Sequence, residues 1–338
     1  MSIRAYAANA PRAELVPIEY DPGPLATEWV EVEVEHCGVC HSDLSMLDNE
    51  WQMSQYPLIA GHEVVGRVVA VGAQAKRVKV GDRVGVGWFA SSCTACRNCL
   101  DGSQHLCAQA SALIVEHRGG FAQRVRSHWV WCTPLPDGLD AASAGPLFCA
   151  GITVFGPIAR FGVKPTDRVA VVGIGGLGHL AVQFLNAWGC EVTAFTSSAD
   201  KRDEALALGA HHTVGTHDLS AIESLAGTFN FILVTSNVTL PWPAYLAMLA
   251  PRGRLHVVGA VLEPMAIPAF ALLGGEKQLS GSPLSSPATL SDMLAFSARH
   301  AIAPKVERFP FRKINEALTY LREGKARWRV VLDADWSS

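Results

Sequence analysis

The 338-residue sequence has no excess of positive charge: 28 Lys and Arg stand against 31 Asp and Glu, a formal net charge of -3. The basic stripe of a nucleic-acid-binding protein is missing, so no nucleic acid is expected as partner. The first residues, MSIRAYAANAPRAEL, lack the apolar h-region of a secretory signal. The longest apolar run, Val169–Leu185, is broken by four glycines, His179 and Gln183, whereas a membrane span needs about 20 consecutive apolar residues. No internal repeat or low-complexity segment is visible. These absences lead us to expect a cytoplasmic protein with neither nucleic acid nor membrane as partner.

What the chain does contain is enough for a large core, 49% hydrophobic residues, and a length that suggests two domains. It also has nine cysteines. Without a secretion signal these point to a reducing compartment, and to metal binding or catalysis rather than disulfides. Between Cys37 and Glu63, CGVCHSDLSMLDNEWQMSQYPLIAGHE, Cys40 and His62 stand beside the polar groups His41, Ser42, Asp43 and Glu63. Cys and His suit zinc, and a catalytic zinc takes three protein ligands and leaves one position open. This stretch supplies two. A single Cys or His is more often a packed core residue, so other parts of the chain must decide.

One such part is SSCTACRNCLDGSQHLC, with Cys93, Cys96, Cys99 and Cys107 spaced C-x2-C-x2-C-x7-C in a polar loop. Four thiolates can surround one ion tetrahedrally and leave no open position, so the spacing predicts a structural zinc. An iron-sulfur cluster is the competing reading, and the lack of a following Pro favours zinc. Trp88 and Phe89 just before this loop, and Trp51 earlier, are candidate walls of an apolar pocket, or else ordinary core aromatics.

From Ile3 to about Trp131 the pattern is of short strands. Trp29–Glu35 alternates apolar and charged residues with the period of a half-buried strand. Val64–Val71 and Arg83–Val86 add others, and helical periodicity is scarce, which predicts an antiparallel, barrel-like β domain. The composition changes near residue 140. Ala141–Arg160 is small, apolar and helix-compatible. Arg168–Val172 is a buried-strand pattern leading into Gly173-Ile-Gly175-Gly176-Leu-Gly178, and a helix over His179–Trp188 ends at Gly189. In that context the glycines read as a dinucleotide turn: the first for the bend, the second for close approach of a pyrophosphate, the third for helix–strand packing. At the end of the next strand an NAD site would place Asp or Glu; this chain has Thr196-Ser197-Ser198 at the strand tip, with Asp200 only further along and then Lys201 and Arg202, and hydroxyls with a cation suit a 2′-phosphate and favour NADP. Further units follow: a strand Phe229–Thr235, a helix Pro243–Leu249, a strand Arg254–Gly259, helices Leu290–His300 and Ile314–Leu321, and a closing strand Trp328–Leu332.

With CGVCHSDL, GHEVVG, VGDRVGVG, the four-cysteine loop, CAGITVFGP, GIGGLGHLAVQF and RWRVVLD on one chain, the sequence resembles the zinc-dependent medium-chain alcohol dehydrogenases. Within them it resembles the cinnamyl-alcohol-dehydrogenase-like, NADP-dependent branch. The resemblance implies α/β plus β architecture: a GroES-like catalytic domain over 1–150, rejoined by about 287–338, and a Rossmann NADP-binding domain over 151–286. It implies Cys149 as the third ligand with Cys40 and His62, Glu63 as a residue able to approach the zinc during ligand exchange, and Asp43 as the group that orients His62. Two zinc ions per chain use six cysteines, leaving Cys37, Cys132 and Cys190 for packing. The implied cofactor contacts are Ser42, Gly173, Gly175, Gly176, Leu177, Gly178, Thr196, Ser197, Ser198, Lys201, Thr235, Gly259 and Ser282.

The implied activity is interconversion of primary alcohols and aldehydes, small molecules of apolar or aromatic character, by hydride transfer with NADP(H) in a homodimer, a tetramer being the family's other form. Ser42 would begin the proton relay. The chain departs from many members at Ser45, where they carry the relay's outer histidine. This gives weight to a second expectation, reduction of activated C=C or C=N bonds. A zinc-binding structural protein on the same fold would show lost ligands or a broken glycine motif, and neither occurs.

Overall fold

The computed structural model describes residues 2–115, 117–198 and 200–336. It divides into two compact units, Met1–Ile152 with Ser285–Ser338, and Thr153–Leu284. In the first, β1 (Ile3–Ala7) pairs antiparallel with β2 (Val16–Tyr20). β3 (Trp29–Val39), β4 (Glu63–Val71), β5 (Arg83–Val86), the short pair β6 (Phe89–Ser91) and β7 (Ser111–Ala112), β8 (Arg124–His128) and β9 (Thr133–Pro134) follow. β3 is the spine, antiparallel to both β4 and β8. Helix α1 (His41–Leu47) leaves its end, α2 (Arg97–Leu100) lies in the four-cysteine loop, and α3 (Ala141–Ala144) and α4 (Ala150–Arg160) follow the last of these strands. The core of this unit gathers β-branched residues such as Val30, Val32, Val64 and Val84 with Phe121 and Met46.

Three expectations for this segment need correction. The strand expected to end at Glu35 continues to Val39, because its second half is buried between neighbours and no longer alternates. Glu31, expected on the solvent side, is buried; Arg124 and Arg126 of β8 hold it at 2.9 and 2.7 Å. Ala141–Arg160 is also not one helix. α3 gives way to a 3-10 turn over Gly145–Phe148, and Cys149 sits outside helical geometry at φ -122°, ψ -78° before α4 begins.

The second unit is a sheet of β10 (Arg168–Val172), β11 (Glu191–Thr196), β12 (His212–Gly215), β13 (Phe229–Val234), β14 (Leu249–Val257) and β15 (Gln278–Gly281). Their order is β12-β11-β10-β13-β14-β15, every neighbouring pair parallel, the doubly wound order of a dinucleotide fold. The strands read as apolar runs because helices cover a parallel sheet on both faces; α5 (Gly178–Trp188) and α6 (Asp200–Ala207) supply two of them, with α7 (Leu219–Ser224), α8 (Trp242–Ala247) and α9 (Phe270–Leu273) beyond. α5 ends at Gly189, in the left-handed region at φ +104°, a conformation that glycine adopts without steric cost. The helix expected over Pro243–Leu249 is shorter: Leu249 already belongs to β14, which starts five residues ahead of the expected Arg254 and pairs with β13 from Phe229 onward through a register shift.

The chain then returns to the first unit with α10 (Pro287–His300), β16 (Val306–Pro310), α11 (Ile314–Arg322) and β17 (Arg329–Asp333). α10 begins ahead of Leu290 because Ser286 caps it, its Oγ accepting from the Thr289 amide at 3.3 Å, with Pro287 in the first turn. β17 pairs antiparallel with β3 and parallel with β16. Among the described residues no single helix is long and apolar enough to cross a membrane.

Gly85 of β5 shows how tightly the first unit is closed, since a Cβ there would collide with the Phe148 ring. Gly85→Ala is expected to cost about 1–3 kcal/mol through overpacking, measured as a lower urea midpoint. An unchanged midpoint would mean that Phe148 has room to move.

Candidate metal centres and cofactor turn

The first donor set is assembled by the end of β3, the first turn of α1, the start of β4 and the break before α4. Cys40, His62 and Glu63 are buried and Cys149 is half-buried, and with Cys149 they bring their ligand atoms within 4.8 Å of one another. Cys40 Sγ lies 3.9 Å from Cys149 Sγ, which lies 3.2 Å from His62 Nε2. Two sulfurs held by one tetrahedral zinc at about 2.3 Å are about 3.8 Å apart, so the spacing fits that ion. Behind them Asp43, wholly buried, accepts from the Cys40 amide at 2.8 Å through Oδ2, and from the Gly61 amide at 2.8 Å and His62 Nδ1 at 2.9 Å through Oδ1. A carboxylate on Nδ1 fixes the ring and leaves Nε2 as donor to a metal. The contact between the two thiols lowers the Cys40 pKa and raises that of Cys149.

Glu63 stands one residue on. Its Oε1 pairs with Arg329, while its buried Oε2 has no hydrogen-bond partner among the described residues. Burial pushes the carboxyl up to about 7 against the pull of Arg329. Gly38 makes room for it, since a Cβ at that position would collide with Oε2. Sequence reasoning gave no role to Arg329 or Gly38. The available signal was a lone arginine between Trp328 and Val330 in an apolar closing strand, whose partner lies 266 positions away in the chain.

The second set is Cys93, Cys96, Cys99 and Cys107, their sulfurs likewise within 4.8 Å, with Cys93 and Cys99 3.9 Å apart. Backbone amides point at the sulfurs: Cys96 N–H to Cys93 at 3.3 Å, Cys93 N–H and Gln109 N–H to Cys107 at 3.5 and 3.4 Å. Such donors favour the thiolate, and those of Ala95 and Cys96 bring the Cys93 pKa down to about 6. Four thiolate donors and no other group suit a closed, structural zinc.

The glycine turn belongs to the second unit. Gly173 has φ +95°, a Cβ on Gly178 would collide with the Gly173 carbonyl, and a Cβ on Gly175 would meet nothing. The turn is thus tight where it packs and open where a phosphate would approach. Thr235 Oγ1 donates to the Gly173 carbonyl at 2.6 Å, bracing the turn, and a Cβ on Gly259 would collide with the Ser236 carbonyl. At the end of β11 Thr196 is buried, Ser197 exposed, Ser198 and Lys201 half-buried and Arg202 exposed.

Two family models match: "Alcohol dehydrogenase GroES-like domain" over residues 26–137 and "Zinc-binding dehydrogenase" over 176–299. The aldehyde reductase AdhA of Synechocystis sp. is 56% identical over 98% of both chains. A mannitol dehydrogenase of Petroselinum crispum is 38% identical over 94% of this chain and 97% of its own. This chain belongs to the zinc-dependent medium-chain alcohol dehydrogenases. As a member of that family it is an oxidoreductase of GroES-like and Rossmann architecture. Among solved alcohol dehydrogenases, the Sorghum bicolor cinnamyl alcohol dehydrogenase superposes with a TM-score of 0.94 at 34% identity over 98% of each chain. The Helicobacter pylori cinnamyl alcohol dehydrogenase, solved with NADP(H), gives 0.91 at 28% identity over 100% of this chain and 99% of that one.

The remaining expected residues of this dehydrogenase fall as follows. Trp88 packs edge-on against the His62 ring at 5.1 Å and so reaches the first donor set, while Trp51 lies behind it, 6.2 Å from Trp88. Phe89 turns to Trp131, 4.8 Å away, instead. Ser42 is half-exposed and His41 exposed, while buried Ser45 donates to Glu50 at 2.7 Å. Cys37, Cys132 and Cys190 are free and buried.

Metal analysis after dialysis against a mild chelator is expected to find two zinc ions per chain. Asp43→Asn is expected to weaken one site by about 10- to 100-fold, so that one ion remains, and Cys99→Ser to release the other. Loss of both ions from Asp43→Asn would show that the two sites are not independent.

Proposed function

We propose that this alcohol dehydrogenase is an NADPH-dependent aldehyde reductase, reducing aromatic or apolar aldehydes to primary alcohols and running the reverse reaction as conditions allow. The observation that carries the proposal is the Cys40–His62–Cys149 triangle backed by Asp43, in a chain that shares 56% of its residues with an aldehyde reductase. Support for NADP(H) comes from Ser197, Ser198 and Lys201 at the tip of β11, where an NAD site would carry a carboxylate, and from the NADP(H) complex of the Helicobacter pylori relative. Trp88 beside His62, with Trp51 next to Trp88, favours an aromatic or apolar substrate.

Cys40, His62 and Cys149 would hold the catalytic zinc and Cys93, Cys96, Cys99 and Cys107 the structural one. When bound, zinc supplies a Lewis acid for the substrate oxygen and NADP(H) the hydride. The chain's residues do the rest. Asp43 keeps the imidazole of His62 in the tautomer whose Nε2 is free. Arg329 pairs with Glu63 and holds it back, within reach of the ligands. Ser42, on the exposed edge of α1, takes up or gives the hydroxyl proton of the substrate. Ser45 gives its own proton to Glu50, so the route from Ser42 leads to water and not through the position where relatives carry histidine. The unit around β10–β15, residues 151–286, serves as the NADP-binding domain, with Gly176 and Leu177 in the phosphate turn.

A homodimer is supported by the outer edge of β15, which among the described residues ends its sheet, and by Phe270, Leu262 and Leu273, exposed by 85, 71 and 68%. The free thiols suit a cytoplasmic, reducing setting.

With the zinc-loaded protein, NADPH and cinnamaldehyde, the expected product is cinnamyl alcohol, identified by chromatography; a saturated aldehyde would replace the proposal with C=C reduction. His62→Ala is expected to abolish turnover while the far-ultraviolet circular dichroism stays the same, and retained activity would remove the zinc from the reaction. Lys201→Ala is expected to raise KM for NADPH about tenfold, the size of one charge-assisted hydrogen bond, and to leave NADH nearly untouched. Equal effects on both cofactors would argue against recognition of a 2′-phosphate.

A further inference from the structure

Near the end of β14 an imidazole occupies a position where a parallel sheet is normally apolar. His256 is fully buried, its ring 5.0 Å from Phe161 and 6.3 Å from Phe231. Both ring nitrogens are engaged, Nδ1 with Ser280 Oγ and Nε2 with Ser282 Oγ, each at 2.9 Å. His256 is in register with Ser280 on β15, and Ser282, two residues on, points to the same face. A buried imidazole whose two bonds both go to serine hydroxyls costs desolvation and serves the core less well than leucine.

The direction of these bonds follows from their origin. Arg254 Nη1, which can only donate, gives a hydrogen bond to Ser280 Oγ at 3.0 Å. Ser280 then has its own proton to give, and its acceptor is Nδ1 of His256. Burial first, then the nearby Arg254 and Arg160, bring the His256 pKa down to about 4, so the ring is neutral and its one proton is on Nε2. Nε2–H donates to Ser282, which receives a hydrogen bond and keeps its O–H free to give. Ser282 is half-exposed just beyond the carboxyl end of β15, the side of such a sheet on which ligands bind.

A dinucleotide fold is built of two mononucleotide-binding halves. The glycine turn after β10 and the Ser197–Lys201 tip after β11 assign β10–β12 to the adenosine half, which leaves β13–β15 for the nicotinamide half. We infer that Arg254, Ser280 and His256 form a positioning chain that fixes the Ser282 hydroxyl as a donor to the carboxamide oxygen of the nicotinamide. The inference rests on the reading of the second unit as an NADP(H) site. His256 touches no cofactor itself and acts through Ser282.

The test compares two probes by fluorescence titration: NADPH, and adenosine 2′,5′-bisphosphate, which carries the 2′-phosphate and no nicotinamide. Ser282→Ala and His256→Phe are each expected to weaken NADPH about three- to tenfold, one hydrogen bond's worth, and to leave the bisphosphate unchanged. The double variant is expected to bind NADPH no worse than the weaker single one, because both remove the same bond. Unchanged NADPH binding in Ser282→Ala overturns the inference, whatever happens to the less conservative His256→Phe. So do equal losses for both probes, which mean general damage to the sheet, and additive losses in the double variant, which mean that His256 does not act through Ser282. Failure of the wild-type protein to bind the bisphosphate would remove the NADP(H) reading itself, and this inference with it.

Discussion

The Asp43 carboxylate accepts from the amides of Cys40 and Gly61 and from the ring of His62, in a place from which water is excluded. Burying an ionised carboxylate is expensive unless it is fully hydrogen-bonded; here three bonds of about 1.5–3 kcal/mol each offset the cost. The geometry that results is specific. One oxygen anchors the backbone of one proposed zinc ligand and the other holds the ring of a second. The start of α1 and the turn before β4 therefore cannot shift relative to each other without leaving this charge unsatisfied.

A second buried charge, the Glu63–Arg329 pair, has a different consequence. Buried ion pairs add little net stability, because desolvation consumes most of the attraction. What this pair adds is connection. Arg329 opens β17, a strand contributed by the last part of the chain and inserted beside β3, so the C-terminal segment closes the site formed by residues 37–63. Gly38, between the two, is needed only because Glu63 occupies the space where a Cβ would go.

The second unit uses polar groups with the same economy. Thr235 braces the glycine turn through the Gly173 carbonyl, and His256 links two serines at the far end of the sheet. Each stands where a parallel sheet would ordinarily carry an aliphatic residue, at the carboxyl ends of strands where a dinucleotide would lie.

Much of this was legible in the residues because the signals were local. The four-cysteine loop, the glycine turn between a strand and an apolar helix, and Thr196-Ser197-Ser198 in place of a carboxylate at the strand tip each depend on spacing within a few positions, and spacing is what a sequence states directly. Helix and strand limits were less legible at Ala141–Arg160 and Pro243–Leu249, where Gly145-Pro146 and the early start of β14 override local apolar periodicity. Cys149 could be joined to Cys40 and His62 only by resemblance, since 109 positions separate it from Cys40. The burial of Glu31 was not legible, because the alternation of Trp29–Glu35 cannot register the arginines on β8. The sequence alone determined the donor types, the dinucleotide turn and the class of fold. The tertiary structure decided which charges are buried and what answers them, the β8 arginines for Glu31, Arg329 for Glu63 and Ser282 for His256, because a buried polar group takes its meaning from partners that only folding brings within 3 Å.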